Sequence, residues 1–286
     1  MRIVTEQPDL RRQYEQIVAC ATHLSFFSQL WVQDALHLHW AYVLNDANQI
    51  LLRIPFAPKL GIKAYLQPLF IRELELVANL DTAQCNRIVS FLQKQLFLHL
   101  NISLNRTDIL VQQTGKFQKL KLASDIEKLR AGYSENLKRN LKKVHDLKME
   151  EISYATFQSF FIKQKGEGLG NLNSAAWLRL EKLAAAAAKK ESLYCYGTYK
   201  EEELVAVGLF FKWNAQLYFM KGTLNDQGKK SGALVFLIDS IIEKFSRDFS
   251  TLDFIGSNQE SIAAFYRKFG ALDQAYGIVK GKIPLV

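Results

Sequence analysis

Two stretches of the chain follow one pattern: three short strands separated by polar turns, and then an amphipathic helix. In the first stretch, segments rich in aromatic and β-branched residues predict strands over Leu36–Leu44, Gln49–Phe56 and Ile62–Leu66. Residues 57–61 are predicted to be a turn. The apolar residues that follow recur at helical spacing and predict a helix over Thr82–Leu98, with Thr82 as its N-cap. This repeated pattern indicates an α/β fold in which helices cover sheets.

The second stretch repeats the pattern and extends it. Its strands are predicted over Leu193–Tyr199, Leu204–Lys212 and Gln216–Lys221. One apolar helix face follows at helical spacing, formed by Leu234, Leu237, Ile238, Ile241 and Phe245. Beyond it we predict a short strand over Thr251–Ile255 and a helix that begins with a capping box at Ser257 and ends at Gly270. Gly277–Ile283 is predicted to be the last strand.

The length of 286 residues suits two domains of roughly 100 to 170 residues each. The end of the first pattern places the boundary near Gly115. This gives an N-terminal domain of residues 1–115 and a C-terminal domain of residues 116–286. The second domain opens with a basic segment, Lys116–Lys148, in which a helix begins at Ser134. We therefore predict an α/β (α+β) protein whose domains each contain a mixed, mostly antiparallel sheet flanked by helices.

The N-terminal sequence lacks the apolar core of a signal peptide, and no run approaches the roughly 18 apolar residues of a membrane span. Three isolated cysteines, Cys20, Cys85 and Cys195, fit a reducing compartment. We therefore expect a cytoplasmic protein without a membrane span. No histidine or cysteine spacing suggests zinc, and His37 and His39 are interpreted as two strand histidines. No metal cofactor is expected.

The formal net charge of +9 at pH 7 indicates the kind of partner rather than the fold. A basic protein of this size favours polyanions, namely the phosphates of a nucleotide, a tRNA or anionic lipid headgroups. The charge alone does not choose among these partners, and the sequence leaves the oligomeric state open.

Three local motifs resemble the FemAB-like family of the GNAT (acyl-CoA N-acyltransferase) superfamily. They are the basic helix YSENLKRNLKK at Tyr133–Lys143, the strand end LDFIGS at Leu252–Ser257 and the helix IAAFYRKFGA at Ile262–Ala271. The resemblance spans about residues 130–275, while the first half is matched only by its order of strands and by Gly61–Phe70. The family implies two tandem GNAT-like domains, of which the second holds the donor site.

What the resemblance implies is acyl transfer to an amine. Ordinary GNAT enzymes and some FemAB-like proteins use acyl-CoA, whereas Fem-type members use aminoacyl-tRNA to extend peptidoglycan bridges. The long helical arm of several Fem-type enzymes has no counterpart here. We therefore expect an N-acyltransferase that uses acetyl-CoA or another acyl-CoA and acts on a small-molecule or peptide amine. The alternatives are a tRNA-dependent aminoacyltransferase and a GNAT-fold protein that binds a ligand or partner without catalysis.

The resemblance places the donor phosphates in the loop before the helix of Leu234. In GNAT domains this loop presents backbone N–H groups to the pyrophosphate, at the positive end of the helix dipole. The corresponding residues are Gly228, Lys229, Lys230, Ser231, Gly232 and Ala233. Their spacing departs from the family's Q/R-x-x-G-x-G/A pattern, because Lys230 or Leu234 stands where glycine or alanine is expected. The alternative interpretation is a solvated glycine turn that caps the helix at Ser231.

Tyr266 is the best catalytic candidate, because the matching helix of many GNAT enzymes carries a tyrosine that protonates the departing thiolate. Tyr266 also belongs to an apolar stripe, so a core position is the alternative. Asp253 stands at the strand end where a GNAT active site lies, and is predicted either to contact substrate or to make a structural hydrogen bond. Ser257 is interpreted as a helix N-cap. No glutamate stands in residues 216–222, where many GNAT enzymes keep a general base.

The basic helix carries cations over a wide arc, namely Lys138, Arg139, Lys142 and Lys143. Lys138, Arg139 and Lys142 are predicted to bind phosphates of a tRNA, of the donor or of a lipid-linked substrate, and a solvated helix surface is the alternative. Aromatic residues are not interleaved with these cations, so sequence-specific nucleic-acid recognition is not expected. The glycine-rich segment Gly166–Ser174 is interpreted either as a lid or as a linker.

Overall fold

The computed structural model describes residues 1–59, 62–95, 100–165, 173–256 and 258–281. The chain divides into two compact units. Unit 1 comprises Met1–Gly115 together with Ala275–Val286, and unit 2 comprises Lys116–Gln274. The segment from Ala275 onward therefore belongs to unit 1, although the sequence pattern placed it in the second domain.

Strands and helices alternate along the chain. The strands are β1 (Arg2–Thr5), β2 (Trp40–Leu44), β3 (Ile50–Pro55), β4 (Ala57–Lys59), β5 (Ile62–Leu66), β6 (Leu100–Leu104), β7 (Gln113–Lys121), β8 (Leu147–Glu151), β9 (Leu193–Lys200), β10 (Glu203–Trp213), β11 (Gln216–Leu224), β12 (Thr251–Asp253) and β13 (Leu272–Lys280). The helices are α1 (Pro8–Cys20), α2 (Leu30–Leu36), α3 (Thr82–Gln95), α4 (Ile126–Ala131), α5 (Glu135–Lys142), α6 (Tyr154–Lys165), α7 (Ser174–Ala188), α8 (Asp226–Ser231), α9 (Ala233–Phe245) and α10 (Glu260–Arg267).

Unit 1 contains two groups of paired strands. In the first, β1, β2 and β3 pair antiparallel, and every residue of β2 and β3 is buried. In the second, β4 pairs antiparallel with β5, β5 parallel with β6, and β6 antiparallel with the end of β13. Arg53 of β3 is buried, and its guanidinium lies over the Trp40 ring and pairs with Glu6 (2.6 Å) and Asp34 (2.8 Å). These partners compensate the charge that the unit buries.

Unit 2 is built on a sheet with the strand order β7-β12-β11-β10-β9-β8. Within this order β11 and β12 are parallel, and the other described pairs are antiparallel. Residues 205–211 of β10 are all buried, so both faces of the sheet are covered. We assign α9 to one face and α6, which contacts β9, β10 and β11, to the other. The predicted fold class, a mixed and mostly antiparallel sheet flanked by helices, is confirmed.

The core between α9 and the sheet is apolar and rich in aromatic rings. Four of the five residues predicted for the apolar face of α9 are buried there: Leu237, Ile238, Ile241 and Phe245. They share this cluster with Phe219 of β11 and Phe254 after β12, and α5 adds Leu137. Because burial of apolar area is the main favourable term in folding, this cluster holds α5, α9 and the strand ends as one body within unit 2.

Three local predictions for the first half are wrong. Residues 36–39 do not form a strand, because Leu36 ends α2 and β2 begins only at Trp40. Residues 57–59 are a strand rather than a turn, because they pair with β5. Thr82 is already helical, and the capping side chain is Asp81, whose Oδ1 accepts the Gln84 N–H (2.6 Å). Gly61 and residues 96–98 lie outside the described part of the chain.

The helix after β12 begins later than predicted. α10 starts at Glu260 with Gln259 as its N-cap residue, and the predicted cap Ser257 lies outside the described residues. β12 itself ends at Asp253, because Ile255 (φ +57°) and Gly256 (φ +95°) turn the chain away from strand geometry. The last strand begins at Leu272, earlier than the predicted Gly277, and ends at Lys280, while residues 282–283 of the predicted strand lie outside the described residues.

Other helix ends agree with the sequence. Ser134 is the N-cap of α5, and its Oγ accepts the Leu137 N–H (3.3 Å). Gly270 adopts a left-handed conformation (φ +81°) after α10, as a residue that follows a helix end often does. Of the glycine-rich segment, residues 166–172 lie outside the described residues, and α7 begins at Ser174.

Each unit contains a strand that is joined through a helix to a parallel neighbour. In unit 1 this connection is β5-α3-β6, and in unit 2 it is β11-α9-β12. A parallel pair needs such a crossover, because the chain must return to the same end of the sheet. The repeated sequence pattern therefore corresponds to a repeated connection.

Among the described residues, no helix is long and apolar enough to cross a membrane. The same part of the chain contains no group of three His, Cys, Asp or Glu side chains that could hold a metal ion. The three cysteines are free thiols, and Cys85 and Cys195 are buried. His37 is not a strand residue: it follows α2, and its Nε2 lies 2.9 Å from the Phe56 carbonyl oxygen.

We predict that Gly256→Ala lowers the free energy of unfolding by about 2–4 kcal/mol. Gly256 has φ +95°, and a methyl group there would overlap the backbone of Phe117. Urea unfolding would measure the loss. Gly132→Ala is the matched control, because Gly132 has an ordinary φ of −74° and a methyl group would meet only the Leu129 oxygen, at 3.3 Å. Equal stability of the two variants would contradict the strained turn.

Candidate active site

The parallel pairing of β11 with β12 is short. Gln216, Leu217 and Tyr218 pair with Thr251, Leu252 and Asp253, while β11 continues to Leu224. Beyond Tyr218 the described residues give β11 no strand partner on its β12 side. The backbone N–H and C=O groups of this edge can therefore bind a ligand by hydrogen bonds.

A β-bulge lies in β11 where this pairing ends. Leu209 of β10 pairs with Lys221 and Phe210 pairs with Phe219, so Met220 is an additional residue in β11. A bulge disrupts the regular ladder and changes the direction of the strand, and bulges are frequent next to active sites. The open edge and the bulge therefore coincide at the centre of unit 2.

The predicted donor residues lie between β11 and α9, but they do not form an open loop. Residues 226–231 form the short helix α8, because the Asn225 side chain accepts the Gly228 N–H (2.7 Å) and starts a helical turn. Gly228 is buried, while Lys229 and Lys230 are exposed in the last turn of α8. The alternative prediction, a cap of the following helix at Ser231, is wrong. The Ser231 hydroxyl donates to the Gln227 carbonyl oxygen (2.9 Å) and does not cap α9.

Gly232 separates the two helices. It adopts a left-handed conformation (φ +72°) that suits glycine, ends α8 and is also the N-cap residue of α9. No side chain caps α9. Ala233, the first residue of α9, is buried. Because the first N–H groups of a helix attract anions, the start of α9 is the part of the predicted donor segment with a phosphate-binding geometry.

Tyr266 lies in the apolar cluster under β11 and β12. Its ring stacks on Phe254 with centroids 4.3 Å apart and meets the edge of Phe219 at 6.2 Å. Burial raises the pKa of the Tyr266 hydroxyl to about 12. The side chain is partly exposed, and no described residue forms a hydrogen bond with its hydroxyl group. At neutral pH the group is therefore a protonated phenol that can donate a proton.

Asp253 is fully buried at the end of β12. Its Oδ1 accepts the Ile255 N–H (2.7 Å), and its Oδ2 lies 3.5 Å from the Lys119 ammonium group. The first contact stabilises a non-glycine residue in the left-handed conformation that starts the turn into α10. This geometry favours the structural hydrogen bond over the predicted contact with substrate.

The basic helix lies against α9 rather than apart from the donor segment. Lys138 and Lys142 line a cavity of about 400 Å³, whose wall includes Phe236 from the first turns of α9. Arg139 points elsewhere, because it is exposed and does not line this cavity. The structure thus brings two of the three predicted phosphate-binding residues together with the start of α9, and Arg139 and Asp253 lie outside this group.

Lys221 was not predicted to be a site residue. It follows the bulge in β11, and partial burial lowers the pKa of its ammonium group. Lys221 pairs with Leu209, the neighbour of Phe210; since Phe210 packs under α9, Lys221 faces the opposite side of the sheet. The sequence signal for Lys221 is its position as a single lysine directly after the apolar run Leu217–Met220.

Residues 132–266 match the family model described as an acetyltransferase (GNAT) domain. Unit 2 is a GNAT domain. A search of curated protein sequences finds no significant match.

Solved structures share the fold along nearly the whole chain. The crystal structure of FemX is 10% identical, with a TM-score of 0.65 and coverage of 100% of this chain and 98% of FemX. A tandem GNAT protein from the clavulanic acid biosynthesis pathway is 10% identical, with a TM-score of 0.53 and coverage of 97% and 96%. A conserved protein of unknown function from Bacteroides thetaiotaomicron is 11% identical, with a TM-score of 0.54 and coverage of 98% and 100%. At such identities these likenesses establish the fold.

The predicted GNAT domain is confirmed by the match over residues 132–266, and the likeness to FemX and to the tandem GNAT protein is one of fold. The class of enzyme is that of the GNAT domain, an acyltransferase. In the GNAT domain, β11, α9, β12 and α10 supply the described parts of the candidate site. The identity of the acyl donor and of the acceptor depends on what those parts bind.

We predict that Asp253→Ala lowers the free energy of unfolding of the GNAT domain by about 2–4 kcal/mol. The change removes the acceptor for the Ile255 N–H and the partner of Lys119. Asp253→Asn keeps an oxygen acceptor and is expected to cost about 1 kcal/mol. Urea unfolding of both variants compares these losses. Unchanged stability of the alanine variant would restore Asp253 as a residue available to substrate.

Proposed function

We propose that the protein is an N-acyltransferase that moves an acyl group from acyl-CoA to a small-molecule or peptide amine. The observation that carries the proposal is the start of α9, where Gly232 begins a helix without a side-chain cap, one short helix (α8) after the end of β11. A pyrophosphate bound there would satisfy helix N–H groups at the positive end of the dipole. The acyl chain of the donor would then follow the open edge of β11.

In the proposed reaction, different groups of the site act on different atoms. The amine nitrogen attacks the thioester carbonyl carbon, the C–S bond breaks and an amide forms. Backbone N–H groups of the β11 edge near Met220 would polarise the carbonyl oxygen. Tyr266 would donate its phenolic proton to the departing thiolate, and the attacking amine would release its proton to water. The aromatic rings of Phe254 and Phe219 hold the Tyr266 ring in place.

Transfer from aminoacyl-tRNA is the second candidate, and the exposed side of α5 favours it. Arg139 and Lys143 are exposed cations, and none of the described residues forms an ion pair with them. The similarity of the fold to FemX along the whole chain also supports this candidate. Both donors are molecules of the cytoplasm, so we place the protein there.

We predict that acetyl-CoA or longer acyl-CoAs bind the purified protein in the micromolar range and that Gly232→Asp weakens this binding at least about tenfold. The new carboxylate would repel the pyrophosphate at the start of α9. Gly232→Ala is the control, because it introduces the same backbone strain without the charge. Isothermal titration calorimetry measures all three proteins.

Absence of binding by every acyl-CoA would eliminate the first proposal. The aminoacyl-tRNA candidate would then be tested by binding of tRNA at increasing salt concentration. Its affinity should fall steeply with salt, because binding releases counterions from the phosphates. Arg139→Ala with Lys143→Ala should reduce both the affinity and the salt dependence.

We predict that Tyr266→Phe lowers kcat by about 10²- to 10³-fold and leaves the dissociation constant of acyl-CoA unchanged. Phenylalanine preserves the ring that stacks on Phe254 and removes only the proton donor. Because the pKa of Tyr266 is raised to about 12, kcat should show no loss from its deprotonation between pH 7 and 10. Tyr194→Phe, a change at an aromatic residue packed against Phe245, is the control. Equal activities of the two variants would assign Tyr266 to the core alone.

A further inference from the structure

Strand β8 (Leu147–Glu151) is the last strand at one end of the sheet of unit 2. It pairs with β9 on one side, and no other described strand pairs with its second side. The unpaired edge of a strand presents backbone N–H and C=O groups to which a further strand can bind. The sheet can therefore be extended at β8.

The pairing with β9 determines which backbone groups of β8 point to the open edge. The N–H of Ile152, directly after β8, donates to the carbonyl oxygen of Cys195 in β9 (2.9 Å). Successive residues of an antiparallel pair alternate in the direction of these groups, and the register of β8 with β9 has no shift. The even-numbered residues of β8 therefore bind β9. The residues whose N–H and C=O groups point to the open edge are Leu147, Met149 and Glu151.

Two exposed side chains of β8 carry opposite charges. Lys148 and Glu150 lie on the same face of the sheet, because residues two apart in a strand do so, and they form an ion pair within the chain. Their side chains are 76% and 43% exposed, so both are available to a partner. They stand symmetrically about Met149. A second β8 strand that runs antiparallel and is centred on Met149 would place each Lys148 opposite the Glu150 of the other copy.

The same register also satisfies the backbone. Met149 would lie opposite Met149 of the second copy, and Leu147 opposite Glu151, so every outward-pointing group would meet a partner. A pair centred on Lys148 or on Glu150 would oppose like charges and would use backbone groups that already bind β9. Charged side chains often prevent the association of strand edges, but in this register they attract each other.

The other face of β8 holds the strand in place before a partner binds. Leu147 packs against the buried cluster of Val205, Ala206 and Ala233, and Met149 packs against the core under α9. Because β8 is already fixed in the single chain, association would not require the ordering of a flexible segment.

We infer that the protein forms a homodimer in which the β8 edges of two copies pair antiparallel about a twofold axis at Met149. The partner is a second copy, because the charges and the hydrogen-bonding groups of β8 are complementary to those of β8 itself. The sheets of the two GNAT domains would become one continuous sheet. The inference does not depend on which donor or acceptor the domain uses. A five-residue strand forms a small interface, so we expect a dissociation constant on the order of 10 µM.

The test is the mass of the whole protein in analytical ultracentrifugation, at concentrations below and above that constant. Lys148→Glu and Glu150→Lys each bring like charges opposite one another twice in the dimer, and each should weaken it at least about tenfold. An equal mixture of these two variants should form a heterodimer, because every opposed pair in it is again complementary. The double variant Lys148→Glu with Glu150→Lys should dimerise as the unaltered protein does.

Glu151→Pro tests the backbone pairing independently of the charges. Proline removes an N–H that points to the open edge and that the single chain does not use, and strands at a sheet edge tolerate proline there. Dimerisation should be lost while the thermal unfolding of the single chain, followed by circular dichroism, stays nearly the same.

Three results would overturn the inference. The first is a single-chain mass of the unaltered protein at every concentration. The second is a dimer that survives both single charge variants, since its interface would then lie elsewhere. The third is a mixture of the two folded charge variants that remains monomeric, because the register centred on Met149 requires them to associate.

Discussion

The parallel pairing of β11 with β12 over only three residues sets the geometry on which the candidate site depends. A parallel pair requires a crossover, and here the crossover contains α9, which follows β11 after the short helix α8. The positive end of the helix dipole is thereby fixed next to the strand end. Because the pairing stops at Asp253 while β11 continues to Leu224, the same connection leaves an open strand edge beside the helix start. One topological constraint thus places two kinds of hydrogen-bond donor together.

The turn after β12 explains why the pairing stops there. Ile255 and Gly256 both have positive φ, so the chain cannot remain beside β11. Asp253 fixes this turn by accepting the Ile255 N–H, and Lys119 lies near the buried carboxylate. The turn then directs α10 so that Tyr266 stacks on Phe254. The buried carboxylate of Asp253 thus determines where the proposed proton donor lies.

Sequence periodicity was sufficient for elements whose burial pattern is local. The apolar face of α9 and the cap Ser134 could be predicted because each depends on residues within a few positions of one another. The short helix α8 could not be predicted in this way, because its six residues have no apolar periodicity. It forms because the Asn225 side chain caps its start. The bulge at Met220 depends on the pairing register with β10, which the sequence of neither strand specifies by itself. Likewise, the contact of α5 with α9 arises from residues far apart in the chain.

The position of α5 helps to indicate which polyanion its basic residues bind. Its cations fall into two groups, because Lys138 and Lys142 line the cavity beside α9, whereas Arg139 and Lys143 do not. An extended RNA could use the second group, but this would give no role to the uncapped start of α9 or to the cavity next to it. A nucleotide thioester would use the helix start and the strand edge together. The arrangement of charge therefore favours a compact phosphorylated donor over tRNA, although the net charge is equally compatible with both.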